Sequence, residues 1–218
     1  MHNIFFIRHG ESAANVLRIF DNCTGDYLLT EAGVQQAEVT ASWFAKESIQ
    51  AIYSSPIPRA LQTARIISLK IKKPVTILQE LKEFRIGDLE GKPQSGSTLQ
   101  TYFHVLQEWR NGNSEIAFPG GETHTELIQR FTAAIKKIIP DKSEGTTLVV
   151  GHGGQIIFGV KALCPQADWE TVWGTIIKYC SITRVEFSES NNKITGKLIQ
   201  WANTDHLPTH LIDIRKDY

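Results

Sequence analysis

The feature that most constrains this chain is an apolar run at residues 4–7 that breaks abruptly into Arg8-His9-Gly10. A continuously apolar run of this length is typical of a parallel strand that is buried on both faces. Open α/β sheets bind ligands at the carboxyl ends of such strands. Gly10 permits a sharp turn or a close approach to a ligand, and residues 11–17 can begin a helix whose N–H groups favour an anion. The sequence therefore predicts an anion site that contains a histidine.

A second apolar strand, at residues 146–150, has the same design and runs into Gly-His-Gly-Gly at 151–154. In a parallel sheet the two strand ends lie on one edge, so His9 and His152 are expected to converge there. Two imidazoles together can hold a metal ion or a phosphate, but a metal site needs a third ligand, and no clear one is evident. Taken alone, His152 can also be a hydrogen-bonded structural histidine.

The rest of the chain alternates between strand and helix, which predicts a parallel sheet with right-handed crossovers. Thr30 is expected to cap one helix, and a serine at 54–55 to cap the next. A late antiparallel pair is predicted at 181–187 and 193–201, joined by a turn at Asn191-Asn192. The remaining expected strands lie at 49–53 and 74–78, and the remaining helices at 98–110, 122–139 and 155–163.

Composition narrows the class of protein. The 218 residues carry 23 basic and 23 acidic side chains, so we expect no nucleic-acid partner, because nonspecific binding depends on excess Lys and Arg. Cys23, Cys164 and Cys180 lack metal-type spacing and are expected to be reduced, mostly buried thiols. No stretch has transmembrane length or signal-peptide character, which favours a cytoplasmic protein without a membrane partner. Because no linker or repeat is evident, we expect one domain over residues 1–218.

Three polar residues near the predicted site have competing interpretations. Arg59 lies in the first turn of its predicted helix, where a cation opposes the helix dipole, so this placement favours a nearby anion. The alternative is an exposed arginine on a solvated helix face. Asn15 can contact a ligand or lie on a helix surface. Glu11 is interpreted as an acid favoured by the dipole at a helix start, without a chemical role.

Several of these segments together resemble the histidine phosphatase superfamily, which includes cofactor-dependent phosphoglycerate mutases and many phosphomonoesterases. Arg-His-Gly-Glu-Ser at 8–12, followed by Asn15, is similar to its opening signature. Residues 54–64 resemble its second phosphate-arginine motif, 119–122 its proline-glycine-glutamate turn and 151–154 its second histidine motif. The resemblance implies a three-layer α/β/α sandwich with a central, mostly parallel sheet and an antiparallel edge.

The resemblance also implies a role for each matching residue. The histidine after the arginine is the family's nucleophile, which makes His9 the residue that is transiently phosphorylated. No metal and no other cofactor is implied, because arginine and histidine supply the positive charge. The groups expected around the phosphoryl group are Arg8, Asn15, Arg59, His152 and Gly153.

A proton donor for the leaving alcohol must come from the irregular segment after residue 78. The residues alone do not choose among its carboxylates, which are Glu80, Glu83, Asp88 and Glu90. The surrounding Leu-Lys-Glu, followed by glycines, resembles the family's segment around its proton donor. That match assigns the general acid to Glu83.

Departures from the mutase pattern favour hydrolysis. Mutases of this family carry an arginine directly after the acid, whereas Phe84 follows Glu83 here. The segment 92–119 holds three possible cations, Lys92, His104 and Arg110. A pocket with little extra positive charge cannot easily retain a carboxylated intermediate, so we expect a metal-independent phosphomonoesterase that acts on a small phosphorylated metabolite or a phosphopeptide. The alternatives are a cofactor-dependent phosphoglycerate mutase and a non-catalytic phosphate-binding domain.

The insertion around 92–119 is expected to form a lid or a wall over the pocket. Tyr102, Phe103 and Trp109 could line that pocket or pack against the domain, and their helical spacing suits both. Phosphopeptides, phosphosugars and nucleotide-derived phosphates all remain possible substrates, and no apolar stripe indicates an oligomer.

Overall fold

The computed structural model describes residues 1–23, 25–139, 144–190 and 193–212. Within these residues one sheet contains six strands, which are β1 (His2–Arg8), β2 (Ala51–Ser54), β3 (Val75–Ile77), β4 (Gly145–Gly151), β5 (Ile182–Ser190) and β6 (Lys193–Asn203). The same ranges contain seven α-helices, which are α1 (Ala13–Leu17), α2 (Glu31–Phe44), α3 (Pro58–Ile71), α4 (Gly96–Arg110), α5 (His124–Ile138), α6 (Gly153–Leu163) and α7 (Trp169–Trp173).

The strand order is β3-β2-β4-β1-β5-β6. The first four strands are parallel, whereas β5 is antiparallel to β1 and β6 is antiparallel to β5. The predicted mostly parallel sheet with an antiparallel edge is therefore confirmed. The turn expected at 191–192 lies outside the described residues.

The two faces of the sheet bury different sides of the same strands. In β1, Ile4 and Phe6 belong to a core cluster with α5 and α6. Phe5 and Ile7 point into a second cluster that includes residues of α2 and α3. Because successive side chains of a strand alternate between faces, a continuously apolar strand requires helices on both sides. This packing produces the three predicted layers.

Local sequence signals predicted one helix start correctly and another wrongly. Thr30 caps α2 as predicted, and its hydroxyl accepts a hydrogen bond from the Gly33 backbone N–H at 3.1 Å. The serine cap expected for α3 is wrong, because the N-cap is Ile57 and Pro58 occupies the first turn. The short α7 was not predicted, since its five residues are too few to show helical periodicity.

The three cysteines are free thiols in buried or half-buried positions. Cys164 and Cys180 are buried, Cys23 is half-buried, and burial raises the pKa of each to about 12.

In the described ranges, no helix combines the length and the apolar character needed to cross a membrane.

Candidate active site

A cavity of about 400 Å³ opens beside the carboxyl ends of β1 and β4. Arg8, the last residue of β1, pairs in register with Gly151, the last residue of β4. His9 and His152 therefore leave the sheet side by side, with ring centroids 5.3 Å apart. Both side chains are buried. The two histidines thus converge at one sheet edge, as their positions after two parallel strands predict.

The imidazole of His9 is held in one tautomer. Its Nδ1 lies 2.7 Å from the Gly10 carbonyl oxygen, which can only accept, so Nδ1 carries the proton. The lone pair is therefore on Nε2, where it accepts a hydrogen bond from Arg59 Nε at 3.0 Å. Burial, with the charges of Arg59 and Arg8 as smaller causes, lowers the pKa of His9 well below its ordinary value. The ring is consequently neutral near pH 7, with its unprotonated nitrogen, Nε2, at the cavity.

His152 is fixed by Ser55, the residue directly after the neighbouring strand β2. The Ser55 hydroxyl lies 2.8 Å from His152 Nε2 and accepts from the Ile57 backbone N–H at 3.2 Å. When that hydroxyl donates to Nε2, the proton of the neutral ring is on Nδ1. Within the described residues, this buried Nδ1 has no hydrogen-bond partner. Burial is also the main cause that lowers the pKa of His152 well below its ordinary value.

Arg59 has the nearby anion that its position in the first turn of α3 favours, and that anion is Asp21. Arg59 Nη1 donates to Asp21 Oδ2 at 2.7 Å, and the two side chains are 4% and 3% exposed. The other oxygen of Asp21 accepts from the Gly25 backbone N–H at 2.8 Å. Burial raises the pKa of Asp21, an effect that Arg59 opposes. Sequence reasoning missed Asp21, which had the appearance of a turn residue; the unexplained charge of Arg59 was the one signal for it.

Arg8 and Asn15 both line the cavity. The Arg8 guanidinium carbon lies 4.2 Å from the centre of the Tyr179 ring, and Nη1 donates to the Ile177 carbonyl. In the described part of the chain, the buried Nε of Arg8 has no partner. Asn15 Oδ1 accepts from the Ser12 backbone N–H at 3.0 Å, so its amide nitrogen is the group suited to a phosphate oxygen.

Glu83 lines the same cavity and is held by backbone donors. Its Oε1 accepts from the N–H groups of Phe84 at 3.0 Å and Gln155 at 2.7 Å, and its Oε2 from Gly154 at 2.9 Å. These bonds stabilise the ionised form, but burial is the larger effect and raises the pKa of Glu83. A carboxyl group in this setting can hold a proton at a higher pH than a solvated one.

The other three candidate acids lie elsewhere. Glu80 forms an ion pair with Lys137, and that hydrogen bond lowers its pKa. Asp88 is exposed. Glu90 accepts a hydrogen bond from the Cys23 backbone N–H at 2.9 Å. Of the four carboxylates that the sequence left open, Glu83 is the one that lines the cavity.

The N–H groups at the two helix starts are largely used within the protein, which corrects the expectation that they surround an anion. The Ala13 N–H donates to the Leu28 carbonyl at 3.0 Å. At the start of α6, the N–H groups of residues 154–155 bind Glu83. Gly153 lines the cavity as predicted.

Gly10 and Glu11 serve the junction between β1 and α2. A Cβ at Gly10 would lie 2.5 Å from the Gly33 carbonyl oxygen, so the close approach is to protein backbone rather than to a ligand. Glu11 lies before the start of α1, and its Oε1 accepts from the hydroxyl of Thr30 at 2.8 Å. Its carboxylate therefore contacts the cap of α2.

A buried ion pair supports the segment that carries the acid. Glu122, which is fully buried, binds Arg130 through both oxygens at 3.1 and 2.6 Å. Arg130 Nη1 in turn donates to the carbonyl oxygens of Glu80 and Lys82 at 2.8 and 2.7 Å. The turn around Glu122 thus holds the backbone next to Glu83 through Arg130.

Helix α4 forms one wall of the cavity. Tyr102 and Phe103 line it, whereas Trp109 is buried in a core cluster, where its ring centroid lies 5.2 Å from that of Phe84. Both interpretations of these aromatic residues are therefore realised, and Tyr102 meets both, because it also packs against that core cluster. Within the described ranges, no group of three or more His, Cys, Asp or Glu residues is arranged to hold a metal ion.

Comparison with known proteins identifies the class. Residues 4–199 match the histidine phosphatase superfamily (branch 1), and the chain belongs to this superfamily of enzymes. A protein of Yersinia pestis (strain Pestoides F) named probable phosphoglycerate mutase GpmB is 29% identical over 221 residues, and the alignment covers 98% of each chain.

Solved structures share the fold. A mycobacterial glucosyl-3-phosphoglycerate phosphatase superposes with a TM-score of 0.78 at 21% identity, covering 94% of this chain and 100% of the other. Bacillus stearothermophilus YhfR superposes with a TM-score of 0.78 at 25% identity, covering 94% and 99%. The similarity extends over nearly the whole length of each protein.

Proposed function

We propose that this protein is a metal-independent phosphomonoesterase that works through a phosphohistidine intermediate on His9. The observation that carries the proposal is the geometry of that imidazole. Its Nδ1 proton is bound to the Gly10 carbonyl, its Nε2 lone pair is at the cavity, and its lowered pKa keeps the ring neutral. A neutral imidazole with an oriented lone pair is a competent nucleophile.

The residues around Nε2 suit a phosphoryl group. Arg59 donates to the nucleophile itself, and Arg8 and His152 have buried nitrogens that no described protein group uses. A phosphoryl group at Nε2 would accept hydrogen bonds from these donors. Preorganised donors of this kind typically contribute roughly 3–4 kcal/mol each to transition-state stabilisation.

The reaction then takes two steps that share one carboxyl group. His9 Nε2 exchanges its hydrogen bond from Arg59 for a bond to phosphorus, and the Arg59 N–H turns to a phosphoryl oxygen. The bond to the leaving oxygen breaks, and protonated Glu83 gives its proton to that oxygen. In the second step ionised Glu83 takes a proton from water, whose oxygen attacks the phosphohistidine. The N–P bond breaks, inorganic phosphate leaves, and both residues regain their initial states.

The distribution of charge favours water over a second alcohol as the acceptor. Phe84, in the position where mutases carry an arginine, is fully buried in the core. Of the three cations in the insertion, Arg110 lines the cavity, whereas Lys92 and His104 do not. The name of the Yersinia relative points to a mutase and that of the mycobacterial structure to a phosphatase. The scarcity of cations beyond the phosphate end supports the hydrolase.

The test uses p-nitrophenyl phosphate with a chelator, over a range of pH, with wild type, His9→Ala and His104→Ala. The last variant removes an exposed histidine outside the cavity lining and is the matched control. In parallel, wild type is given 3-phosphoglycerate with a bisphosphoglycerate primer. We expect hydrolysis that His9→Ala abolishes and His104→Ala retains, without isomerisation. Isomerisation faster than hydrolysis would make the protein a mutase, and activity that survives in His9→Ala would refute the mechanism.

A further inference from the structure

The cavity continues beyond its charged end between walls made mostly of carbon. One wall belongs to α4, and the other to α6 and the segment that follows it. The apolar side chains that line this part, which we call the outer pocket, are Ile19, Phe20, Tyr102, Phe103, Leu106, Ile157, Phe158, Trp173, Ile176 and Ile177. Aromatic rings are prominent, with centroids 4.9 Å apart for Phe20 and Tyr102 and 5.4 Å apart for Phe158 and Trp173.

Three of the amide side chains that line the cavity each donate an N–H group to another protein group. Asn22 Nδ2 donates to the Phe84 carbonyl at 2.9 Å, and Gln94 Nε2 to the Ile19 carbonyl at 3.3 Å. Further out, Gln107 Nε2 donates to Asn111 Oδ1 at 2.9 Å. A sugar needs several hydrogen-bond partners for its hydroxyl groups, because unpaired polar groups are costly to remove from water. Besides these amides, the described uncharged residues lining this part offer the hydroxyl groups of Tyr102 and Thr175, and apolar side chains outnumber all of these polar groups.

Charge is equally scarce there. Among the described residues that line the cavity, Arg110 is the one charged side chain outside the cluster formed with His9. It is exposed, and its guanidinium carbon lies 4.6 Å from the centre of the Trp173 ring, so it is stacked on the wall. A second phosphate or a carboxylate on the substrate would find little positive charge to pair with in this pocket.

Part of the apolar wall remains open to solvent. Phe103 is 40% and Ile176 44% exposed, although both line the cavity. Covering such surface releases it from water and favours binding in proportion to the apolar area removed. An apolar ligand group would therefore gain affinity here, while its phosphate remained at His9.

We propose that the outer pocket binds the alcohol half of the substrate and selects a flat, uncharged, apolar alcohol, so that the substrates are aryl or arylalkyl phosphomonoesters rather than phosphosugars. This inference rests on the proposed phosphatase function. It assigns specificity to Leu106, Tyr102 and Phe103 on one wall and to Ile157 and Ile176 on the other. The phosphate end supplies the chemistry, and the outer pocket supplies the discrimination between alcohols.

The test compares three phosphonates, whose C–P bond resists hydrolysis, as competitive ligands. They are methylphosphonate, 2-(2-naphthyl)ethylphosphonate and 3,4-dihydroxybutylphosphonate. We expect the naphthyl compound to bind at least about thirtyfold more tightly than methylphosphonate, because it buries aromatic surface. The dihydroxy compound should gain less than about threefold, because its hydroxyl groups lose water without gaining partners.

Two variants test whether the outer pocket is the part of the cavity that discriminates between the naphthyl and methyl compounds. Leu106→Gln puts an amide in the wall and should reduce the naphthyl-to-methyl affinity ratio at least about fivefold. Phe103→Ala, at a residue that is 40% exposed and belongs to none of the core clusters, should reduce the ratio about threefold. The matched control is Leu69→Gln, at a residue 81% exposed on α3, which should keep the wild-type ratio.

The outcomes separate this inference from the proposed function. If wild type hydrolyses p-nitrophenyl phosphate and binds methylphosphonate but prefers the dihydroxy compound, or shows no preference, the inference is overturned and the phosphatase stands. It is also overturned if neither Leu106→Gln nor Phe103→Ala changes the ratio. If wild type hydrolyses nothing and binds none of the phosphonates, the proposed function and this inference fail together.

Discussion

The two ends of the cavity are built differently. The inner end combines His9, at a strand end, with buried charges that are paired, as in the contact of Arg59 on α3 with Asp21. The outer end uses apolar side chains of helices, some of them open to solvent, such as Phe103. A buried charge is costly unless its partner is in place, whereas an apolar wall tolerates exchange of one side chain for another. The inner end therefore permits little variation, and the outer end can be adapted to the alcohol.

The largest expected effect is at the inner end, for Glu83→Gln, which removes the proton donor. We expect kcat for an alkyl phosphate to fall about 10²–10⁴-fold. The loss should be smaller for p-nitrophenyl phosphate, whose leaving group needs no proton. Because burial raises the pKa of Glu83, wild-type kcat should fall as pH rises through that pKa, and the variant should lose this decline.

Steady-state kinetics of both substrates across pH measure this effect, with Glu80→Gln as the control at a carboxylate outside the cavity lining. An equal loss on the two substrates would assign Glu83 a role other than proton donation.

The next effect concerns Arg59, which contacts both His9 and Asp21. Arg59→Met removes a donor to the phosphoryl group and should lower kcat/KM for p-nitrophenyl phosphate about 10²–10³-fold. Arg65→Met, at an exposed arginine of the same helix, is the matched control and should change kcat/KM less than about twofold. Equal effects of the two substitutions would show that general charge, rather than the contact with His9, matters.

Asp21→Asn tests how much the inner end depends on paired charges, because it leaves Arg59 buried without its counter-ion. The free energy of unfolding should fall by about 3 kcal/mol, the low end for breaking a buried ion pair. Inorganic phosphate can replace the lost charge, so it should raise the melting temperature of the variant more than that of wild type.

Chemical denaturation and thermal melts with and without phosphate measure both effects, and Asp26→Asn, at an exposed acid in the same loop, is the control. If phosphate stabilises wild type and Asp21→Asn equally, the carboxylate of Asp21 does not oppose phosphate at Arg59.

The smallest effect is expected at the outer end. Ile176→Ala should raise KM for 2-naphthyl phosphate about fivefold, because the truncated side chain covers less of the naphthyl ring. Stability should change by less than about 0.5 kcal/mol, since this position is half open to solvent. An effect of Ile176→Ala as large as that of Arg59→Met would contradict the division of the cavity into two kinds of surface.

The sequence was informative about the inner end because local chain signals specify it. His9 and His152 each follow an apolar run and stand beside glycines, and those runs became β1 and β4. The sequence indicated an anion near Arg59, because a cation in the first turn of a helix opposes the helix dipole. Asp21 was missed because its partner lies 38 positions further along the chain, and no local pattern records such a pairing.

The sequence was less informative about the outer end. Periodicity placed Tyr102, Phe103 and Trp109 on one helix but could not decide which of them face the cavity, because helical spacing suits both interpretations.

At the inner end, the choice of Glu83 among four carboxylates also needed more than the residues themselves, since burial and the backbone donors of α6 distinguish it.

The sequence by itself determined an α/β fold with a parallel sheet and the position of two histidines at one sheet edge, because hydrophobic periodicity and strand ends are local properties of the chain. The tertiary structure alone decided that Arg59 meets Asp21 and that α4 and α6 enclose an apolar outer pocket. These features depend on contacts between segments far apart in the sequence. Such contacts exist only once the sheet and its helices have packed together.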